Sequence, residues 1–423
     1  MYPMMKTWAW RVPAALALSL CLGGGAFAAG LTLQGAEQLA LKQDYTLQAI
    51  EARSESIQQR SVAAAQLPDP QLKVGFANLP TDTFRLDQEP MTQAVVGVRQ
   101  VFPRGHTLAL SGARLRESAA RNDAEAEDRR QQVLLAVREA FTDVYLHLQR
   151  QEILKQSETV FSDLAEITRD YYASGRAHQQ DVVQARLELS KVEERLSRIR
   201  QQEEEARARL AGLIGDDAYG EIDAGWPQLT QPGKARAIIE GLRNHPRLRA
   251  WQHEIEHSRT TEDIARQAYK PGFAVDLAYG GRAGENMDGS SRADLFSVMV
   301  TMDVPLFTKQ RQDRMLASDV AATAATEYAR DDVYRSMKAS VEAYSASLGH
   351  EQERLRLYRD TLLPQAAYNA ETAFEDYQDA VNDLTTLMRA RIGEYELRLS
   401  NAALRADEII TRAHLLYLQG ETS

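Results

Sequence analysis

One cysteine occurs in 423 residues, at position 21. A single thiol cannot form an intrachain disulfide, so the fold must rest on packing. Thirteen prolines and 24 glycines are few for an all-β chain, which needs a turn after every short strand. Long helices are expected instead. Basic residues are not in excess: 50 Lys+Arg face 60 Asp+Glu, for a net charge of −10. That balance excludes a broad electrostatic footprint for nucleic acid. No series of long apolar runs is present, so a polytopic helical membrane protein is excluded as well. At 44% hydrophobic residues the chain is too apolar to be largely disordered. There is no phosphate-binding glycine loop, no G-x-G-x-x-G after a strand and no Ser/His/Asp spacing of a hydrolase. The expectation is a protein that is no enzyme and holds no cofactor.

What is present begins with an address. Residues 1–28 read MYPMMKTWAWRVPAALALSLCLGGGAFA. Lys6 and Arg11 form a positive start, Ala14 to Leu22 an apolar middle, and Ala26-Phe27-Ala28 a small-x-small cleavage signal. This pattern predicts a secretory signal peptide cut after Ala28. Leu20, before Cys21, is too large for lipoprotein processing. Loss of Lys6 and Arg11 with the leader takes the net charge from −10 to −12.

The remainder reads as one unit written twice. Val96, Val98, Phe102 and Pro103 correspond to Val298, Val300, Val304 and Pro305, 202 positions on. Pro70 and Val74 correspond to Pro271 and Val275, and Leu47 and Ala49 to Leu248 and Ala250, at 201. Asp181 corresponds to Asp383, again at 202. One offset held across so long a stretch indicates duplication. The repeats are expected at 29–233 and 234–423. Each opens with a helix (34–66 and 235–269). Strands follow at about 71–78 and 94–102, and at about 272–279 and 295–304. Long helices come next, at about 106–173 and 178–214, then about 310–376 and 380–418. A segment at about 215–235, with Gly215, Pro227 and Pro232, joins the copies.

The strands are read from alternation. Leu72, Val74 and Phe76 interleave with Gln71, Lys73, Gly75 and Ala77, and Phe296, Val298, Val300 and Met302 with Ser297, Met299 and Thr301. Period two gives one apolar face and one small or polar face. The helices are read from heptad-like steps: Leu134, Val137, Phe141, Val144, Leu148, and Leu189, Val192, Leu196, Ile199, with Glu203 interrupting the continuation to Ala206, Leu210 and Leu213. Residues 106–173 lack proline and carry only Gly112, so one helix of about 100 Å is expected at 1.5 Å per residue. Pro364 is expected to kink its counterpart. Four strands cannot close a barrel alone, whereas strands pooled from several chains can, and closure removes exposed edges.

Several segments together resemble the TolC family of outer-membrane channel proteins. They are LTLQGAEQLALKQDYTLQAIEA (31–52), AAAQLPDPQLKVGFANLP (63–80), VGVRQVFPRG (96–105), YYASGRAHQQDVVQA (171–185), VMVTMDVPLF (298–307) and FEDYQDAVNDLTTL (374–387). The phrases LPDPQL and QEPMTQ look most like members associated with heavy-metal efflux. The resemblance implies an α+β membrane protein working as a homotrimer. Each chain would give four strands to a twelve-strand β-barrel in the lipid of a Gram-negative outer membrane, continued by a long periplasmic α-helical barrel. It implies the exit duct of a tripartite efflux pump or a type I secretion system, docking on a periplasmic adaptor (membrane fusion protein) and an inner-membrane transporter. The docking tips would be Ser174, Gly175 and Arg176, and Asp376, Tyr377 and Gln378. Family gates carry acidic residues just past such turns. Asp181 lies six residues after Gly175, and Asp383 six after Tyr377, so Asp383 and Asp181 are the expected gate carboxylates. A second acidic ring would fall at Thr386, which is not acidic.

Two other patterns are weighed and set aside. His253-Glu254-Ile255-Glu256-His257 satisfies H-E-x-x-H, which on a helix can hold zinc. No third ligand follows, and the stretch is polar enough for a solvated helix face, so no metal is expected. Met91, Met287, Met299, Met302, Met315, Met337 and Met388 are too scattered for a copper relay. The alternative in another class is a periplasmic coiled-coil adaptor or scaffold. The doubled strand pairs favour the duct.

Overall fold

The fold is described from a computed structural model, which covers residues 30–223 and 225–420. The expected signal peptide at 1–28 and Cys21 lie outside the described residues. Helix α1 (Leu33–Gln43) starts where Thr32 accepts the Gly35 N–H on its hydroxyl at 3.1 Å. Helix α2 (Tyr45–Ala64) follows after a single residue, Asp44, whose carboxylate accepts the Leu47 N–H at 2.6 Å. The one helix expected over 34–66 is therefore two. Asp44 takes an extended backbone conformation to act as an N-cap, and Arg129 fixes its other oxygen at 2.7 Å. The helix expected over 235–269 is divided in the same way. Helix α5 (Ala235–Gly241) runs into a 3-10 turn (Leu242–Asn244), and helix α6 (Pro246–Gln267) begins afresh. Pro246 supplies no N–H and drives His245 out of the helical region, which suits a helix start and forbids continuation.

Helix α3 (Thr107–Ala173) has 67 residues and spans about 100 Å. Its glycine has a packing reason. A Cβ on Gly112 would lie 2.9 Å from the Ala65 Cβ and 3.0 Å from the Ser61 carbonyl, where α2 presses on α3. Helix α4 (Gln179–Ile214) folds back along α3. In the second half, α7 (Gln312–Leu357) passes through a π turn (Tyr358–Leu362) into α8 (Leu363–Gln378), and α9 (Leu384–Gln419) returns. The kink expected at Pro364 takes the form of that π turn. Proline gives no N–H to the carbonyl four residues back, and a wider turn absorbs the missing bond without ending the helix.

These helices share no single core. One cluster near the first hairpin end joins Leu154, Phe161 and Leu164 of α3 to Val192 and Leu196 of α4 and Leu387 and Tyr395 of α9. A second joins Val137, Phe141 and Val144 to Ala36, Ala206 and Leu210. A third joins Ile238 and Leu242 to Met337, Val341 and Leu415. The heptad positions Leu134, Val137, Phe141 and Val144 are all buried. Glu203, the interruption in the second seam, is neutralised by an ion pair with Arg207 one turn on.

The strands form one antiparallel sheet in the order β1 (Gln71–Ala77), β2 (Gln93–Phe102), β3 (Phe273–Gly281), β4 (Leu295–Met302). The pairing of β2 with β3 joins the two halves of the chain, with Val96 opposite Tyr279 and Val98 opposite Leu277. Register makes alternation continuous across all four strands. Leu72, Val98, Leu277 and Val298 form one row, and Val74, Val96, Tyr279 and Phe296 the next. This face is apolar and open: Leu72, Val74 and Phe296 are 70%, 74% and 69% exposed. The opposite face carries Lys73, Gly75, Gly97, Arg99, Asp276, Ser297 and Thr301. Among the described residues no strand pairs with the outer edge of β1 or of β4.

The helical cluster around Phe161 holds the hairpin ends together. Phe161 is 1% exposed and meets the Tyr395 ring edge-on at 6.1 Å. Phe161→Ala is expected to cost about 3–5 kcal/mol, read as a fall in the thermal midpoint by circular dichroism. A midpoint equal to that of the wild type would show that this cluster does not hold the hairpins.

Candidate functional site

Two helical hairpin turns define the far end of the molecule from the sheet. In the first, α3 ends at Ala173. The Arg176 N–H returns to the Tyr171 carbonyl at 2.7 Å and the Gly175 N–H to Tyr172 at 3.0 Å. This is a Schellman closure, and Gly175 takes the left-handed conformation it requires (φ 76°). Ser174, Gly175 and Arg176 are exposed, and the Arg176 guanidinium lies 3.9 Å from the centre of the Tyr171 ring. The second turn has the same bonds: the Val381 N–H to Asp376 at 2.8 Å and the Ala380 N–H to Tyr377 at 3.2 Å. Here Ala380 occupies the left-handed position (φ 58°), at a cost of roughly 1–2 kcal/mol that a glycine would avoid.

This geometry corrects the alignment made from sequence. Gly175 corresponds to Ala380, not Tyr377, because the chain between sheet and long helix is longer in the second half (303–311) than in the first (103–106). Asp376, Tyr377 and Gln378 form the last turn of α8, not the tip. Tyr377 is buried. Its ring lies 5.7 Å from that of Tyr171, and its hydroxyl is 3.4 Å from that of Thr168. Burial pushes the phenol above its ordinary pKa. The exposed stretch is Gln378, Asp379, Ala380 and Val381, with Asn382 turned back to donate to Asp376 at 2.8 Å.

The two expected gate carboxylates occupy different places on their helices. Asp383 is the N-cap of α9 and accepts the Thr386 N–H at 2.8 Å. Asp181 lies three residues beyond the N-cap of α4, where it accepts the His178 N–H at 2.8 Å. By helix position, Asp383 corresponds to His178, and Asp181 to Thr386. Both carboxylates lie at helix N-termini, which favour negative charge. Hydrogen bonds from Thr386, side chain first and then backbone, hold the Asp383 carboxyl below the usual range. It is therefore ionised at neutral pH and stays so into mild acid. A sequence signal for this cap was available: Asp383 directly precedes Leu384-Thr385-Thr386, a polar cap before a new helix.

The H-E-x-x-H segment is not a solvated face. His253 meets Glu117 of α3 at 2.9 Å, and Glu254 meets Arg121 of α3 at 2.7 Å. Ile255 between them is buried. The segment laces α6 to α3, and burial lowers the pKa of His257. Among the described residues no group of three His, Cys, Asp or Glu side chains is placed to hold a metal.

Residues 238–421 match the family model "Outer membrane efflux protein". The chain is 25% identical over 376 residues to the cobalt-zinc-cadmium resistance protein CzcC of Cupriavidus metallidurans, covering 86% of this chain and 85% of that protein. The fold matches crystal structures of CusC with a TM-score of 0.77 at 13% identity, covering 99% of each chain. It matches the outer membrane protein VceC of Vibrio cholerae with a TM-score of 0.77 at 16% identity, covering 92% of this chain and 96% of that one. Over residues 238–421 the chain is similar in sequence to outer membrane efflux proteins, and along nearly all its length it has the fold of the solved channels CusC and VceC.

Proposed function

We propose that three copies of this chain pool their sheets into one twelve-strand barrel in the outer membrane, and that the long helices continue its bore through the periplasm. The observation that carries this reading is the sheet. Its apolar face is largely open and, among the described residues, its two edges are unpaired. Lipid suits the face, and only closure with further copies satisfies the edges, because the bilayer core offers no water to unpaired N–H and C=O groups. Strands of 7–10 residues are close to the length such a barrel needs. The opposite, small and polar face would line the lumen. The chain would then be a passive exit for cargo driven by an inner-membrane transporter. The exposed residues of the two turns, Ser174 to Arg176 and Asp379 to Val381, would meet the periplasmic adaptor. A periplasmic adaptor role for the chain itself is disfavoured, since it leaves the apolar face in water.

Asp383 is the better gate candidate of the two carboxylates. It is exposed and ionised, and threefold symmetry would place three such charges at one constriction, attracting cations and resisting anions. For cargo, the name of the CzcC relative points to divalent transition-metal ions.

Three outcomes are expected. The protein should pellet with outer membranes and run as a detergent-resistant, heat-modifiable oligomer; recovery as a soluble periplasmic monomer would overturn the reading. Asp383→Ser keeps the helix cap but removes the charge, so in planar bilayers it should weaken block by multivalent cations. In the wild type that block should persist until the pH falls below about 4, the ordinary aspartate range, because the folded pKa is depressed. Unchanged block in Asp383→Ser would remove Asp383 from the gate. Deletion of the chain from its host should lower tolerance to cobalt, zinc or cadmium, measured as growth inhibition; unchanged tolerance to all three would argue against metal cargo.

A further inference from the structure

We propose that the wall of the barrel carries a net-positive belt, built by Lys73, Arg99 and Asp276, which draws anions to the level of the membrane and sets a positive step in potential that cationic cargo crosses with its counter-ions. This rests on the proposed reading of the polar sheet face as a lumen. The three residues stand on three adjacent strands and on that one face. Arg99 is directly opposite Asp276, with its guanidinium 3.9 Å from the carboxylate. Lys73 lies two strands from Asp276 and still reaches it in an ion pair. It can do so because the residue between them is Gly97, paired with Lys73 on one side and Ala278 on the other. A Cβ on Gly97 would sit 2.8 Å from the Leu277 carbonyl and 3.2 Å from the Ala278 Cβ. Any side chain there would push the strands apart and stand in the path of the lysine.

Two cations share one anion, so each copy contributes one uncompensated positive charge at this level. Asp276 is largely covered, whereas half of the Lys73 side chain is exposed, so the cation is what a passing solute meets. Just past the strand ends, Arg104 pairs with Asp303 at 3.3 Å and is neutral in sum. Three copies would repeat the excess around one ring. The sign is opposite to that of the Asp383 carboxylates at the far end.

The test measures local potential by thiol labelling of the full protein in lipid nanodiscs, in a Cys21→Ser background. Ser297→Cys lies on the polar face in the row of Lys73 and Gly97, and Val298→Cys on the apolar face. A sulfonated, anionic methanethiosulfonate should modify Ser297→Cys faster than a trimethylammonium one. Adding Lys73→Gln and Arg99→Gln together removes two unit charges per copy and should lower that rate ratio by about fivefold, the order expected for such a change within a Debye length. Adding Asp276→Asn alone should raise it, which guards against a variant that merely misfolds. Should both additions leave the ratio unchanged while Ser297→Cys reacts and Val298→Cys does not, the belt is refuted and the lumen stands. Should Val298→Cys react as fast as Ser297→Cys, the lumen reading falls, and the belt with it.

Discussion

A β-sheet with one largely apolar face and two free edges cannot be a finished structure in water. The face would drive association, and the unpaired backbone groups of β1 and β4 would template it. The register makes the problem large. Rows such as Leu72, Val98, Leu277 and Val298 run apolar across the sheet, and the polar interruption, Gln100 opposite Val275, turns its amide to the Pro68 carbonyl at 2.9 Å. The pairing of β2 with β3 closes the seam between the halves of the chain and leaves only the outer edges open. Everything else in the molecule is compatible with an environment in which that face meets hydrocarbon and those edges meet further strands.

The helices answer a different requirement, which is length. A rod of about 100 Å cannot be stabilised by one globular core, so burial is divided among separate clusters along it. Each cluster draws on helices far apart in sequence: Phe161 with Tyr395, Val137 with Ala36, Met337 with Ile238. Between clusters, polar contacts such as the His253–Glu117 hydrogen bond and the Arg121–Glu254 ion pair lace α6 to α3. The two long runs, α3 and α7 through α8, have equal lengths of 67 residues despite the π turn in one, and α4 and α9 have 36 each. Equal lengths bring both hairpin turns to one end.

The elements most legible in the sequence were those whose pattern is periodic and unbroken. Alternation in Leu72–Phe76 and Phe296–Met302 gave the strands, and the absence of proline gave α3. Breaks set by one side chain were not legible as such. Asp44 and Pro246 each interrupt what reads as a continuous helix, because capping is a property of one residue and not of a period. The second hairpin turn was misread for a related reason. The offset of 202 holds through the sheet, and Asp181 and Asp383 happen to continue it. The longer 303–311 connection nevertheless moves the helices three residues out of step. The left-handed backbone at Ala380, a residue that gives no sequence warning of it, and the bonds from Ala380 and Val381 back to Tyr377 and Asp376 reveal the true turn.

The placement of Asp383 ties charge to backbone geometry. Its carboxylate is the cap that begins α9, so the side chain is not free to swing away from the axis on its own. The turn before it is closed by a strained alanine, and the turn across from it by an unstrained glycine. On the proposed reading, a charge at the constriction can be withdrawn only by moving the start of the helix that carries it. Of the two hairpins, the one with Ala380 holds less closely to its closed turn, because relief of the left-handed backbone offsets part of the cost of opening. Dilation of such an entrance is then a rearrangement of α8 and α9 rather than of side chains. Such a movement would have to preserve or break the packing of Phe161, Leu387 and Tyr395, which ties α9 to α3.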